Sequence, residues 1–140
     1  MTRDAIEAMF ARRRDAYDRQ DAAALARDYA PGCTVESPSA GLHHGPAAAE
    51  RVLRTVFDAL DVKMDEVSLV IDADTVAQVV TIAGTDSGQF LGLPPTGKSF
   101  RIPAVFLYEV KDGLIERERR IYDFTGLLVQ IGLLKAKTAV

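Results

Sequence analysis

The chain has 140 residues, with 17 Lys and Arg against 20 Asp and Glu, a formal net charge of −3. That balance excludes the basic footprint of a nucleic-acid binder and the charge run of an acidic tail. The length suits one domain, expected over 1–140, and a hydrophobic share of 48% can furnish a core of ordinary globular size.

The N-terminal "MTRDAIEAMFARRRD" carries charge throughout and has no apolar core of a secretory signal. No apolar run approaches the roughly 20 residues of a membrane span. A lone cysteine, Cys33, allows no internal disulfide and no cysteine-based metal cluster; it reads as a small buried residue in a reducing cytoplasm.

In chain order, the first predicted element is a helix over "TRDAIEAMFARRRDAYDRQ", with Ile6, Met9, Phe10 and Tyr17 on one face. Asp21 is placed to cap a second helix, "DAAALARDYA", stopped by Pro31-Gly32. A short strand, "CTVESP", and a loop, "SAGLHHGP", follow. Pro46 opens a third helix, "PAAAERVLRTVFDAL", whose buried stripe is Val52, Val56, Phe57 and Leu60.

The period then changes to two. "DEVSLVI" and "TVAQVVTIAG" read as strands around the turn "DAD". "FRIPAVFLYEV", "KDG" and "LIERERRIYD" read as a hairpin on its Asp-Gly, and "FTGLLVQIGLL" as a last helix. The fold class is α+β: three N-terminal helices packed in a strongly curved, mixed or antiparallel sheet, with a short C-terminal helix. Such a sheet leaves a conical pocket, the default site for a small ligand.

"GLPPTGKS", Gly92–Ser99, fits the phosphate-binding pattern G-x-x-x-x-G-K-[ST]. Its flanks do not. "FRIPAVF" follows, a strand with a proline inside, so no helix N-terminus is available for phosphates. Pro94-Pro95 also removes two N–H donors. The segment reads as a turn-rich connection, and no nucleotide is expected. His43 and His44 have no acidic or histidine cluster at ligand spacing, so no metal is expected.

The candidate site residues come from the charges. Glu116–Arg120 are five consecutive charges in a strand, which must alternate between the two faces. Arg117, Arg119, Ile121 and Asp123 share one face; Glu116, Glu118, Arg120 and Tyr122 share the other. Asp123 is either an N-cap for the last helix or a carboxylate acid/base whose pKa is set by an apolar pocket and an arginine. Asp86, at the end of "VVTIAGTD", is the second carboxylate candidate. Tyr122 and Tyr17 are candidates to orient a substrate.

"GTDSGQFLGLPPTGK", the "DGLIE" hairpin and the terminal "DFTGLLVQIG" resemble the C-terminal half of the SnoaL-like polyketide cyclases, of the nuclear transport factor 2-like superfamily. The resemblance implies a cone-shaped fold and a pocket that works without a cofactor on a small, mostly apolar carbonyl substrate. One Asp, at Asp123 here, serves as acid and base in an aldol cyclisation. Where the family often has His after "GT" this chain has Asp86, and where it often has Trp it has Arg119. A second arrangement is therefore epoxide-hydrolase-like, with Asp86 and Asp123 positioning water and Arg119 holding the pair. A third reading is a non-catalytic ligand-binding or dimerisation module. "VESP" sets Ser37 where ketosteroid isomerases place their base, so Ser37 contributes at most a substrate contact. A homodimer through the outer sheet face is also expected.

Overall fold

A computed structural model describes residues 1–135; the last five positions of the expected domain lie outside the described residues. The elements are α1 (Arg3–Asp18), α2 (Ala22–Ala26), β1 (Tyr29–Ser37), β2 (Gly41–His44), α3 (Pro46–Leu60), β3 (Lys63–Asp72), β4 (Thr75–Thr85), β5 (Ser99–Lys111), β6 (Leu114–Tyr122) and α4 (Phe124–Gln130). The six strands form one sheet in the order β2-β1-β6-β5-β4-β3. Only the β1–β6 pair is parallel, so the sheet is mixed.

Local chemistry sets the helix ends. The Thr2 hydroxyl accepts the Ala5 N–H at 3.1 Å, and the Asp21 carboxylate accepts that of Ala24 at 3.0 Å. Pro46 stands in the first turn of α3, where its missing N–H costs nothing. The second helix is shorter than its pattern implied, because Tyr29 and Ala30 enter β1 instead. The "SAGLHHGP" loop contains β2, which pairs with β1 through Thr34–His44 to Ser37–Gly41. Neither departure was legible locally: pairing with neighbouring strands outweighs helix propensity at Tyr29 and supplies partners to Gly41–His44. Pro31 and Gly32 sit where the β1–β6 register shifts, a position that tolerates a missing donor.

The concave face of the sheet carries the core. Val76, Val80 and Ile82 of β4 and Phe100, Ile102, Phe106, Tyr108 and Val110 of β5 are buried there in strict alternation. Phe10 of α1 meets Tyr108 edge-to-face at 4.9 Å, and Tyr17 meets Phe57 of α3 at 5.0 Å. The Gly92–Ser99 segment leads from a short 3₁₀ turn, Phe90–Gly92, into a strand, as its flanks indicated.

Two glycines fix how α3 seats on this sheet. A Cβ on Gly84 would lie 2.4 Å from the Leu60 carbonyl oxygen, and one on Gly88 would lie 2.5 Å from that of Asp58. The Gly88 N–H donates to the Ala59 carbonyl at 3.0 Å. The close approach explains both glycines of the "GTDSG" stretch. Gly88→Ala is expected to destabilise the fold by about 1–3 kcal/mol, as overpacking does. Gly32→Ala, which meets nothing within 4 Å, should leave the melting temperature in place. Equal melting curves for the two variants would contradict the close-approach argument.

Candidate active site

The space between the helices and the concave sheet is a cavity of about 830 Å³, its open mouth included. Its walls are apolar: Leu25, Leu53, Val56, Val62, Ile82, Phe90, Phe100, Ile102, Phe106 and Leu127. Its polar groups are Arg13, Tyr17, Ser39, Gln78, Tyr108, Glu118, Arg120 and Tyr122. Among the described residues, Glu118 is the only acid that faces it.

A bulge decides this. The β5–β6 pairing passes from Glu109–Arg117 to Val110–Ile115, so Glu116 is an extra residue on β6. Ile115 and Glu118 both turn inward as a result, and Glu116 and Arg117 both turn out. Without the bulge, strict alternation from Ile115 would put Glu118 on the outer face. Arg120 and Tyr122 follow Glu118 on the inner face.

Glu118 is 2% exposed, and each of its oxygens has one hydrogen-bond partner. Its Oε1 accepts the Tyr29 hydroxyl and its Oε2 accepts Arg120 Nε, both in close contact. Arg13 stands behind: NH2 donates to the Tyr29 oxygen at 3.2 Å, and NH1 donates to Asp28 Oδ2 at 3.0 Å and to the Leu25 carbonyl at 2.9 Å. Burial on its own pushes the Glu118 carboxyl up. Arg120 and Arg13, with the hydrogen bonds from Tyr29 and Arg120, outweigh it and hold the pKa below the usual carboxylate value. The Tyr29 and Tyr17 phenols are pushed up, chiefly by burial, and stay neutral. The cavity therefore holds an ionised carboxylate between guanidinium groups.

Of the residues singled out from the sequence, Tyr122 and Tyr17 line this cavity. Tyr122 donates to Ser39 Oγ at 2.7 Å. Asp123 does not line it. It is exposed at the N-terminus of α4, where Oδ1 accepts the Gly126 N–H at 2.8 Å. A Cβ on Gly126 would lie 2.2 Å from Asp123 Oδ2, so this spacing of Asp and Gly is the packing requirement of a cap.

Asp86 is buried away from the cavity, with Oδ2 accepting the Thr96 N–H at 3.0 Å and lying 3.1 Å from its hydroxyl, so it ties the Gly92–Ser99 segment down. Arg119 lies on the outer face, half exposed, with Nε 3.4 Å from Glu36. Asp86, Arg119 and Asp123 thus do not surround one cavity, which corrects the epoxide-hydrolase arrangement: strand alternation turns Arg119 away. Ser37 accepts the Ala40 N–H at 3.0 Å, which closes the β1–β2 turn; it contacts a shallow outer groove and not the cavity.

Sequence reasoning missed Glu118, Arg120, Arg13, Tyr29 and Ser39. One signal was present. Arg13 falls between Phe10 and Tyr17 on the apolar stripe of α1, where a charge implies a buried partner.

Residues 8–131 match the model of the SnoaL-like polyketide cyclase family. The chain is 31% identical over 108 residues to the nogalonic acid methyl ester cyclase of Streptomyces nogalater, covering 75% of this chain and 78% of that one. The protein belongs to the SnoaL-like polyketide cyclase family. Its fold is shared with TsrD from Streptomyces laurentii (TM-score 0.82, 22% identity, 96% of this chain and 99% of that one). It is shared as well with a nuclear transport factor 2-like protein from Burkholderia pseudomallei (TM-score 0.79, 14% identity, 94% and 98%).

Two outcomes follow from the geometry. Asp123→Ala removes a cap and should cost about 0.5–2 kcal/mol, whereas Asp123→Asn, an equally good cap, should cost little; chemical denaturation measures both. Glu118 binds its proton at lower pH in the folded chain than in the unfolded one. Its ionised form therefore adds stability above the unfolded value of about 4.3, and that share is lost as pH falls through the lowered native value. Glu118→Gln should be less stable at pH 7 and show a shallower loss on acidification. Parallel stability-versus-pH curves for the two proteins would refute this.

Proposed function

We propose that Glu118 is the base of a cofactor-independent enzyme that acts on a small, mostly apolar carbonyl compound held in the cavity. The observation that carries this reading is that Glu118 is the one cavity-facing acid among the described residues, ionised and flanked by Arg120. The carboxylate removes a proton from the carbon beside a carbonyl. The C–H electron pair moves into a C–C double bond, and the carbonyl pair moves onto oxygen. Arg120 stands on the same strand face to hydrogen-bond the enolate oxygen, while Tyr122, held by its bond to Ser39, and Tyr17 from α1 pack against the substrate. In a cyclisation the enolate carbon then attacks a second carbonyl of the same molecule. One C–C bond forms, and the new alkoxide takes the proton back from Glu118. In an isomerisation the proton returns to a different carbon. Neither course needs a co-reactant.

The lowered pKa adds a constraint. A weakly basic carboxylate is matched to a fairly acidic C–H, because proton transfer is most efficient when donor and acceptor are close in strength. A carbon between two carbonyls fits, and an ordinary ketone fits poorly. Deuterium uptake by an alkyl-substituted β-keto ester, followed by NMR above the buffer rate, tests the reading. Glu118→Gln should lower the rate by about 10²–10⁴-fold, and Asp123→Asn should leave it within about twofold of the native rate. Unimpaired exchange in Glu118→Gln would remove Glu118 as the base. Loss in Asp123→Asn would return that role to Asp123, as the family resemblance implies. Binding without exchange in the native protein would favour the non-catalytic module.

The outer sheet face supports a homodimer. Ser68, Val79, Val105 and Ile121 form one cross-strand row, and Val70, Ala77 and Leu107 another. Val70 is 53% exposed and Ile121 46%. The rows are flanked by Arg117–Glu109 and Arg119–Glu36, charges of both signs that suit a self-complementary contact. Sedimentation should give twice the 15.2 kDa chain mass, and Val79→Lys should return the monomer. A native monomer at micromolar concentration would refute the dimer.

A further inference from the structure

Behind Glu118, outside the cavity, lie two side chains that the reaction above does not use: Tyr29 and Asp28. Tyr29 is 3% exposed and Asp28 6%. Two features of their hydrogen bonding bear on the base. First, Asp28 is saturated by arginine. Arg12 donates from NH2 to Oδ1 at 2.8 Å and from NH1 to Oδ2 at 3.1 Å, and Arg13 NH1 donates to Oδ2 at 3.0 Å. The Arg13 guanidinium is thereby fixed, with its carbon 5.2 Å from the centre of the Tyr29 ring. Second, Arg13 has only donors. When its NH2 donates a hydrogen bond to the Tyr29 oxygen, the phenol must direct its own O–H elsewhere, and the acceptor in reach is Glu118 Oε1.

The geometry points to Tyr29 as a positioning residue for the reaction, set in direction by Arg13 and anchored through Asp28 to Arg12. Tyr29 occupies one lone pair of Oε1, and Arg120 occupies one of Oε2. The remaining lone pairs stay available for the substrate proton. The carboxylate cannot turn without breaking a buried hydrogen bond, which is costly in an interior site. Tyr29 does not touch the substrate; it acts only through Glu118. The other charged or titratable groups that interact with Glu118 are Arg13 and Tyr17 from α1, Tyr108 from β5 and Arg120 from β6, and Ser39, Gln78 and Tyr122 share the cavity with it. No hydrogen bond joins Glu118 to Tyr17, Gln78 or Tyr108, so none of these replaces the Tyr29 donor.

This inference rests on Glu118 being the base, but it is tested without turnover. Carboxyl ¹³C NMR of the full chain, labelled at Glu, follows the Glu118 titration directly, with Glu118→Gln assigning the signal. Tyr29→Phe keeps the ring over Arg13 and deletes the donor. Hydrogen bonds to charged groups are strong enough that the titration should move up by about one pH unit or more. Tyr108→Phe should leave it in place. If Tyr29→Phe does not fold, 3-fluorotyrosine in place of the tyrosines supplies a stronger donor at position 29, and the same signal should move down. An unmoved Glu118 titration in Tyr29→Phe, or in the fluorinated protein, overturns the proposal. A shifted titration together with full exchange activity in Glu118→Gln upholds the hydrogen bond by which Tyr29 fixes Glu118 and overturns the assignment of the base, and with it any part of Tyr29 in the reaction.

Discussion

The structure turns on one buried charge pair. Glu118 and Arg120, two residues apart on β6, face the same cavity and share a hydrogen bond where water is scarce. Neither charge is tolerable there alone, because removing one partner of a buried pair leaves an uncompensated ion. The rest of the polar interior follows from satisfying this pair. Tyr29 from β1 closes on one oxygen, Arg13 from α1 holds Tyr29, and Asp28 balances Arg13. Three segments distant in sequence are thus fixed relative to one another by chemistry that an apolar core would not need.

The cluster also divides the cavity into two environments. Toward α3 and the 3₁₀ turn, the walls are Leu, Val, Ile and Phe side chains. Toward α1 and β6 they carry the carboxylate, the guanidinium groups and the phenols. A substrate with an apolar body and one reactive carbonyl region is oriented by that division alone, since each polar group it misaligns would leave a buried donor unpaired. The same low dielectric strengthens the attraction between Arg120 and any negative oxygen formed nearby. In the proposed reaction, arrangement and environment serve the same step: charge moves from the carboxylate to the substrate oxygen without leaving reach of a cation.

Two stretches show how strongly the fold itself constrains a motif. The Asp123–Gly126 spacing is a helix cap whose glycine leaves room for the carboxylate. The glycines of "GTDSG" admit the end of α3. Both stretches carry the family resemblance strongly because the cone requires them. Asp86, in the same stretch, binds the Gly92–Ser99 segment through Thr96. Motif strength here reports backbone geometry, which leaves few residue choices.

The sequence by itself determined most of the elements and their order: helix periodicity with a cap at Asp21 and Pro46 in a first turn, alternation in β4 and β5, and Asp-Gly at the β5–β6 turn. These are local signals, each decided within a few residues. It also sorted β6 into two faces, with Glu118, Arg120 and Tyr122 together. Which face turns inward was not local. That depends on a bulge at Glu116, and the bulge exists only in the pairing of β6 with β5. Tyr29 joining β1 rather than α2 was decided in the same way, by a neighbouring strand 86 positions later at Ile115. The polar site is built from contacts between residues 13, 29, 118 and 120, and no spacing along the chain records them. Only the closed sheet, which takes these side chains out of water together, made their pairing necessary.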